Sequence, residues 1–298
     1  MKPLLLSKSV PAAGSRAADY RDLTKPRISV LVLFTVAAGA LLASESVPDP
    51  VLILHTVLGT ALVAAGASAL NQLLERNSDA LMRRTENRPL PAGRLQSIEV
   101  LLFGIVVSSA GIFYLAVALE EPVAASIAAF TLASYVFLYT PLKRRTTLNT
   151  LVGAVPGALP PMIGWTAVRG TVDAEAIVLF ALLFLWQVPH FLAIAWIYRE
   201  DYARAGLQML PVIDESGSMT GRQMVGYCLA LIPISLAPVG LHMAGPIYFA
   251  GALAIGVGFL LTAIGFLRQR TETHARRVLR ASLVYLPAVF ALLLLARI

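Results

Sequence analysis

Long apolar runs alternate with short polar ones along the whole chain. Nine of the runs are long enough to be bilayer-spanning helices: roughly residues 28–44, 51–74, 98–118, 123–141, 149–168, 175–198, 223–241, 244–267 and 278–296. A spanning helix needs about 20 apolar residues, because in hydrocarbon every backbone N–H and C=O must be satisfied within the segment itself. The pattern therefore predicts an all-α, polytopic bundle of nine transmembrane helices. The second run does not stop cleanly. It passes, with no turn residues between, into NQLLERNSDALMRRTENRPLPAGR at residues 71–94, so polar groups begin on the last turns of a membrane helix.

Asn71, Glu75 and Asp79 recur at every fourth position in that stretch. If the segment stays helical, each step of four rotates by about 40° and rises about 6 Å, which places the three on one slowly turning face. An amide and two carboxylates facing the same way are hard oxygen ligands suited to Mg²⁺, which also takes waters and the oxygens of a substrate phosphate. Arg83, Arg84 and Arg88 follow, and guanidinium groups hold phosphate through charge-assisted hydrogen bonds. Arg-rich loops also arise from membrane topology without any chemistry. The added run MRRTENRP tips the reading toward a metal-diphosphate site at a membrane surface.

Composition and charge support this topology. Hydrophobic residues make up 57% and charged residues 14%, with mean hydropathy +0.74, which excludes a soluble globular domain. All but two of the 24 Lys and Arg residues, Arg169 and Arg297, fall on one side if the N-terminus is inside. The positive-inside rule then predicts N-in and C-out. The net charge of +7 describes loops facing an anionic leaflet and anionic substrates, and nothing in it calls for nucleic acid. Residues 1–25 contain too short an apolar run for a signal-peptide core and are expected to be a mobile cytoplasmic tail, leaving residues 26–298 as the membrane domain. Cys228 is the only cysteine; it rules out a disulfide framework or thiolate cluster and reads as a small buried hydrophobe.

Other polar positions admit two accounts each. Lys25 and Arg27 flank Pro26 and suit interfacial anchoring or an anionic ligand. Tyr135 and Tyr139 precede Lys143, Arg144 and Arg145; this is an interfacial tyrosine belt, or an aromatic face that stabilises a carbocation beside cations that hold the departing anion. The fifth run, with Pro156, Pro160 and Pro161 among Gly153, Gly157 and Gly164, is a broken helix beside a site or a surface of close packing. Gln187 and His190 lie deep in the sixth run, where polar groups are functional candidates by default, and Pro189 should kink the helix between them. Tyr198, Arg199, Glu200, Asp201 and Tyr202 follow at its cytoplasmic end; Glu200 and Asp201 offer a second carboxylate pair or a solvated loop. His55, His242 and His274 read as incidental.

Five motifs in order carry a resemblance: DLTKPRI at 22–28, N-x-x-x-E-x-x-x-D with MRRTENRPL at 71–90, YTPLKRRT at 139–146, GAVPGALPPMIGW at 153–165, and WQVPHF with DYARAGLQMLP at 186–211. With them the chain resembles the intramembrane, UbiA-type aromatic prenyltransferase superfamily, and within it the protohaem IX farnesyltransferase, or haem O synthase, branch. The resemblance implies nine helices around a central cavity capped by polar motifs on the cytoplasmic side of the cell membrane. It implies transfer of farnesyl from farnesyl diphosphate to a vinyl group of haem B, with addition of water, giving haem O and pyrophosphate for terminal-oxidase haem. Mg²⁺ would sit on Asn71, Glu75 and Asp79, and Arg83, Arg84, Arg88, Lys143 and Arg144 would hold diphosphate. Tyr139 or Trp186 would lie near the farnesyl cation. His190 would ligate haem iron or orient the porphyrin, with Gln187, Tyr198 and Asp201 as further substrate contacts. The implied surroundings are the lipid bilayer and a haem A synthase or oxidase assembly factor. Glu75 stands where quinone-pathway relatives usually carry Asp, and their second aspartate-rich motif is absent. Both departures argue against the nearest alternative, a quinone precursor or lipid as acceptor. A two-histidine electron carrier fits poorly, since His55 and His190 fall toward opposite faces, and a transporter has no need of a metal-diphosphate constellation.

Overall fold

The computed structural model describes residues 15–45, 47, 49–119 and 122–296. Its elements are all helical: α1 (Arg16–Leu23), α2 (Pro26–Ala43), α3 (Pro50–Asp79), α4 (Ser97–Ala118), α5 (Pro122–Ala133), a π-helical turn (Ser134–Tyr139), α6 (Thr140–Leu142), α7 (Asn149–Ala158), α8 (Pro160–Arg169), α9 (Ala174–Ile197), α10 (Arg199–Arg204), α11 (Leu210–Ile213), α12 (Ser218–Gly240), α13 (Pro246–Gln269) and α14 (Glu272–Ala296). Each of the nine expected apolar runs is helical. Among the described residues eight spans are long and apolar enough to cross a membrane; Pro122–Leu142 runs through the π-turn and Asn149–Arg169 through a break at Leu159. Arg16–Leu23 and Ile28–Ala43, bent by 50°, would make a ninth if taken as one span. The outer surface is apolar, with Phe113, Phe137, Leu261 and Val284 exposed, as lipid contact requires. The protein is an all-α, multi-pass membrane protein.

The tail expected over residues 1–25 lies outside the described residues as far as residue 14. From Ser15, whose side chain accepts from the Ala18 N–H, the chain forms α1 instead. A helix this short is marginal alone and is held by docking. Asp19 pairs with Arg94 at 2.7 Å, Tyr20 packs on Phe103, and Gln72 Nε2 donates to the Leu23 carbonyl at 2.9 Å. Lys25 then turns the chain into α2 with a left-handed backbone (φ 47°, ψ 57°), uncommon for a non-glycine residue.

The largest core lies among α9, α12, α13 and α14. Trp196 meets Phe266 edge-on, Phe259 packs on Tyr285, and the Tyr248 hydroxyl donates to the Ser235 carbonyl at 2.6 Å. A cavity of about 360 Å³ opens beside this core, walled by α2, α3, α5, the π-turn, α7, α8, α9 and α14.

Both accounts of the proline-rich run hold. The helix breaks between Ala158 and Pro160, where consecutive prolines remove two donors. Its glycines also allow close packing: a Cβ on Gly164 would fall 1.9 Å from the Val36 carbonyl oxygen, and one on Gly39 would fall 2.1 Å from that of Pro161. Both obstacles are backbone, so they cannot rotate away. Gly164→Ala should therefore destabilise the protein by about 1–3 kcal/mol, read as a lower unfolding midpoint in detergent. Gly258→Ala, in α13 with open space around it, should be neutral or stabilising by up to about 1 kcal/mol.

Candidate active site

Helix α3 continues to Asp79, so the fourfold spacing of Asn71, Glu75 and Asp79 becomes a single face. Asn71 and Asp79 are both about 1% exposed. Each polar group on this face meets a partner brought by a different element. Lys25, at the α1–α2 corner, donates to Asn71 Oδ1 at 3.2 Å, and Asn71 Nδ2 donates to Thr140 Oγ1 at 3.1 Å. The Thr140 hydroxyl is itself committed to the Tyr135 carbonyl at 2.9 Å, which the Thr140 N–H also reaches across the π-turn. That commitment fixes the amide orientation, with Oδ1 toward Lys25. Lys143 donates to Glu75 Oε1 at 2.6 Å, with its ammonium 4.4 Å from the centre of the Tyr139 ring. Burial works against the Lys143 charge, yet Glu75 and the two neighbouring tyrosine hydroxyls together hold its pKa well above the usual lysine value. Arg88 donates to Asp79 Oδ2 at 2.7 Å, while Asp79 Oδ1 is buried with no hydrogen-bond partner. An orphaned buried carboxylate oxygen beside further hard oxygen donors fits a small divalent cation such as Mg²⁺. Glu200 and Asp201 do not join it; among the described residues no three His, Cys, Asp or Glu side chains cluster around a metal-sized space.

Beneath this polar cap lies the 360 Å³ cavity, reached by Lys25, Tyr135, Tyr139, Trp186, Gln187 and His190. Glycines on α7 make room for its walls: a Cβ on Gly153 would fall 2.4 Å from the Tyr139 ring, and one on Gly157 2.0 Å from Gln187 Oε1. Trp186 Nε1 donates to the Ser282 carbonyl at 2.8 Å, and the indole stacks on His190 with ring centres 5.0 Å apart. The remaining expected residues form a separate group. Arg84 lies over Tyr198 and Tyr202, and Asp201 pairs with Arg204. Arg83 shares a cleft of about 400 Å³ with Tyr198, Arg199 and Asp201. Arg144 is exposed and has no acidic partner among the described residues.

Residues 32–292 match the UbiA prenyltransferase family. The chain belongs to that family. A relative from Solibacter usitatus (strain Ellin6076), named protoheme IX farnesyltransferase, is 49% identical over 288 residues, covering 94% of this chain and 98% of its own length. A relative of the same name from Myxococcus xanthus (strain DK1622) is 46% identical, covering 98% of each. The fold matches that of a UbiA homologue from Archaeoglobus fulgidus solved with DMAPP and Mg²⁺ (TM-score 0.70, 17% identity, 92% of this chain and 99% of that one). In this UbiA family member, sequence reasoning missed two groups at the site, Thr140 and Ser282, and left Lys25 open between an interfacial anchor and an anionic-ligand contact. Thr140 and Ser282 gave no polar pattern of their own, whereas Gly153 and Gly157 belong to the run read as a broken helix beside a site or a surface of close packing.

The Arg88–Asp79 pair differs from surface pairs because Asp79 has no water to fall back on. Arg88→Ala should cost about 3 kcal/mol of stability by leaving a buried carboxylate unpaired. Arg276→Ala, which breaks the exposed pair with Glu272, should change it by less than about 1 kcal/mol. Unfolding of both variants in the same detergent compares the two.

Proposed function

We propose that this protein transfers the farnesyl group of farnesyl diphosphate to a vinyl group of haem B, adds water, and releases haem O and pyrophosphate. What carries the reading is one juxtaposition: a buried carboxylate and cation face set directly over an apolar, aromatic-walled cavity. The near full-length similarity to proteins named protoheme IX farnesyltransferase selects haem as the acceptor. The protein lies in the cell membrane as nine spans, N-in and C-out, with the site toward the cytoplasm, and its product passes to a haem A synthase or oxidase assembly factor.

Asn71, Glu75 and Asp79 hold Mg²⁺, which when bound neutralises diphosphate oxygens and makes pyrophosphate a better leaving group. Without ligands, Lys143 and Arg88 rest on Glu75 and Asp79. Diphosphate would draw these two cations onto its own oxygens, and the carboxylates they release are the groups that would hold the metal, so no buried charge would be left alone. Arg83, Arg84 and Arg144 lie outside this inner set and serve capture of anionic substrate at the cytoplasmic face. Tyr198 and Asp201 border the same cleft. As the allylic C–O bond breaks, Lys143 and Arg88 stabilise the charge developing on the diphosphate. The Tyr139 and Trp186 rings face the allylic cation, and the apolar walls exclude bulk water. The terminal vinyl carbon attacks, leaving a cation stabilised by the pyrrole.

Membranes containing the protein, supplied with haem B, farnesyl diphosphate and Mg²⁺, should yield haem carrying one farnesyl and one water by mass analysis. Chelation or Asp79→Ala should lower that yield by about 10²-fold or more. Unmodified haem together with prenylated aromatic acids or lipid would reassign the acceptor.

A further inference from the structure

Two polar atoms on the walls of the cavity, Gln187 Oε1 and His190 Nε2, have no hydrogen-bond partner among the described residues. Gln187 is 3% exposed, and its Nε2 donates to two backbone carbonyls, Leu183 at 3.1 Å and Ala154 at 3.4 Å. Those carbonyls fix the amide orientation, because the flipped form would set oxygen against oxygen. Oε1 is therefore the free end, and it lies against Gly157, where only the missing Cβ leaves room. His190 Nδ1 faces a hydroxyl, Ser282 Oγ, at 2.8 Å, and that hydroxyl also lies 2.7 Å from the Leu279 carbonyl. A hydroxyl has one proton to give. With that proton on the carbonyl, Nδ1 carries the imidazole proton and donates to Oγ, and in this tautomer Nε2 is an acceptor. Gln187 and His190 stand three apart on α9, neighbours on one helical face, and both line the cavity.

Two acceptors on one face without a donor define a site for a molecule that supplies two protons, and the smallest such molecule is water. Resting on the function proposed above, we infer that Gln187 Oε1 and His190 Nε2 hold the water that completes the reaction, and that His190 is its general base. Donating to both groups, the water keeps its lone pairs directed into the cavity. Once the vinyl terminus has bonded to the farnesyl C1 and the diphosphate has left, the adjoining carbon is the cation. The water oxygen bonds to that carbon, one of its protons passes to His190 Nε2, and the electron pair of that O–H bond stays on oxygen as the new hydroxyl. Charge balances, since one cationic carbon becomes one imidazolium. Without the held water the same cation loses a proton from the neighbouring carbon and ends as an alkene, one water lighter.

The two outcomes differ in mass, which separates this role from a purely structural one. In the assay above, Gln187→Leu and His190→Phe should shift the farnesylated haem from the hydrated toward the dehydrated product, lowering their ratio by about 10²-fold. An unchanged ratio in both Gln187→Leu and His190→Phe, with total product merely reduced, would overturn the inference. So would loss of a haem Soret shift in His190→Phe with the ratio intact, which would make His190 an iron ligand. If the unaltered protein makes no farnesylated haem, the proposed function itself fails, and that result is distinct from either. Should His190→Phe not fold, Gln187→Leu alone decides, as its mixture is read against the parent protein.

Discussion

Placing carboxylates on the last turns of a membrane helix is the constraint on which the rest of this structure depends. Each buried ion costs several kcal/mol in lost hydration unless it is paired, and α3 carries Glu75 and Asp79 where lipid and protein leave little water. The surrounding elements are shaped by that demand. The α1–α2 corner adopts a left-handed backbone at Lys25, whose ammonium reaches Asn71. The π-turn presents Tyr139 and α6 presents Thr140 to the same face, and Lys143 follows directly after α6. The irregular chain after Asp79 returns Arg88 to it nine positions later. Remove Asn71, Glu75 and Asp79 and none of these local departures from regular structure has a partner to justify it.

The pairing also separates two chemistries that would interfere if mixed. Phosphate binding needs charge and water-like donors, whereas an allylic cation survives only where bulk water is excluded. Tyr139 belongs to both sides: one face of its ring lies under the Lys143 ammonium and its edge is seated against Gly153. The boundary between cap and cavity is thus a single aromatic ring, held in place by a glycine on one helix and an ion pair on another.

How much of this was legible in the sequence depended on how local the signal was. The nine apolar runs and the continuation of α3 to Asp79 could be read because both are periodic patterns within one segment. The neighbouring arginines could not be sorted. Arg83, Arg84 and Arg88 have the same chemistry in one short run, yet the non-helical turns after Ala80 send Arg88 to Asp79, Arg84 over two tyrosines and Arg83 to a separate cleft. Lys25 stayed open between two accounts for another reason: a basic residue before a membrane helix ordinarily marks the interface, and a left-handed φ at a non-glycine residue leaves no trace in residue type. Ser282 was invisible, as a lone serine in an apolar helix usually satisfies itself on its own backbone; here it does so and orients His190 as well.

The residue at 71 then acquires a physical rationale. Three basic side chains, Lys25, Lys143 and Arg88, meet this face of α3, but only Glu75 and Asp79 answer them with charge. An aspartate at 71 would close a third ion pair and leave the face neutral. Asparagine accepts from Lys25 through its carbonyl oxygen and donates onward to Thr140 without cancelling anything. The wall keeps one basic group more than it has carboxylates, in surroundings where an unmatched charge is unfavourable until an anion arrives. An amide at this position keeps the site assembled and still short of negative charge, which is the condition that favours a diphosphate over a neutral ligand.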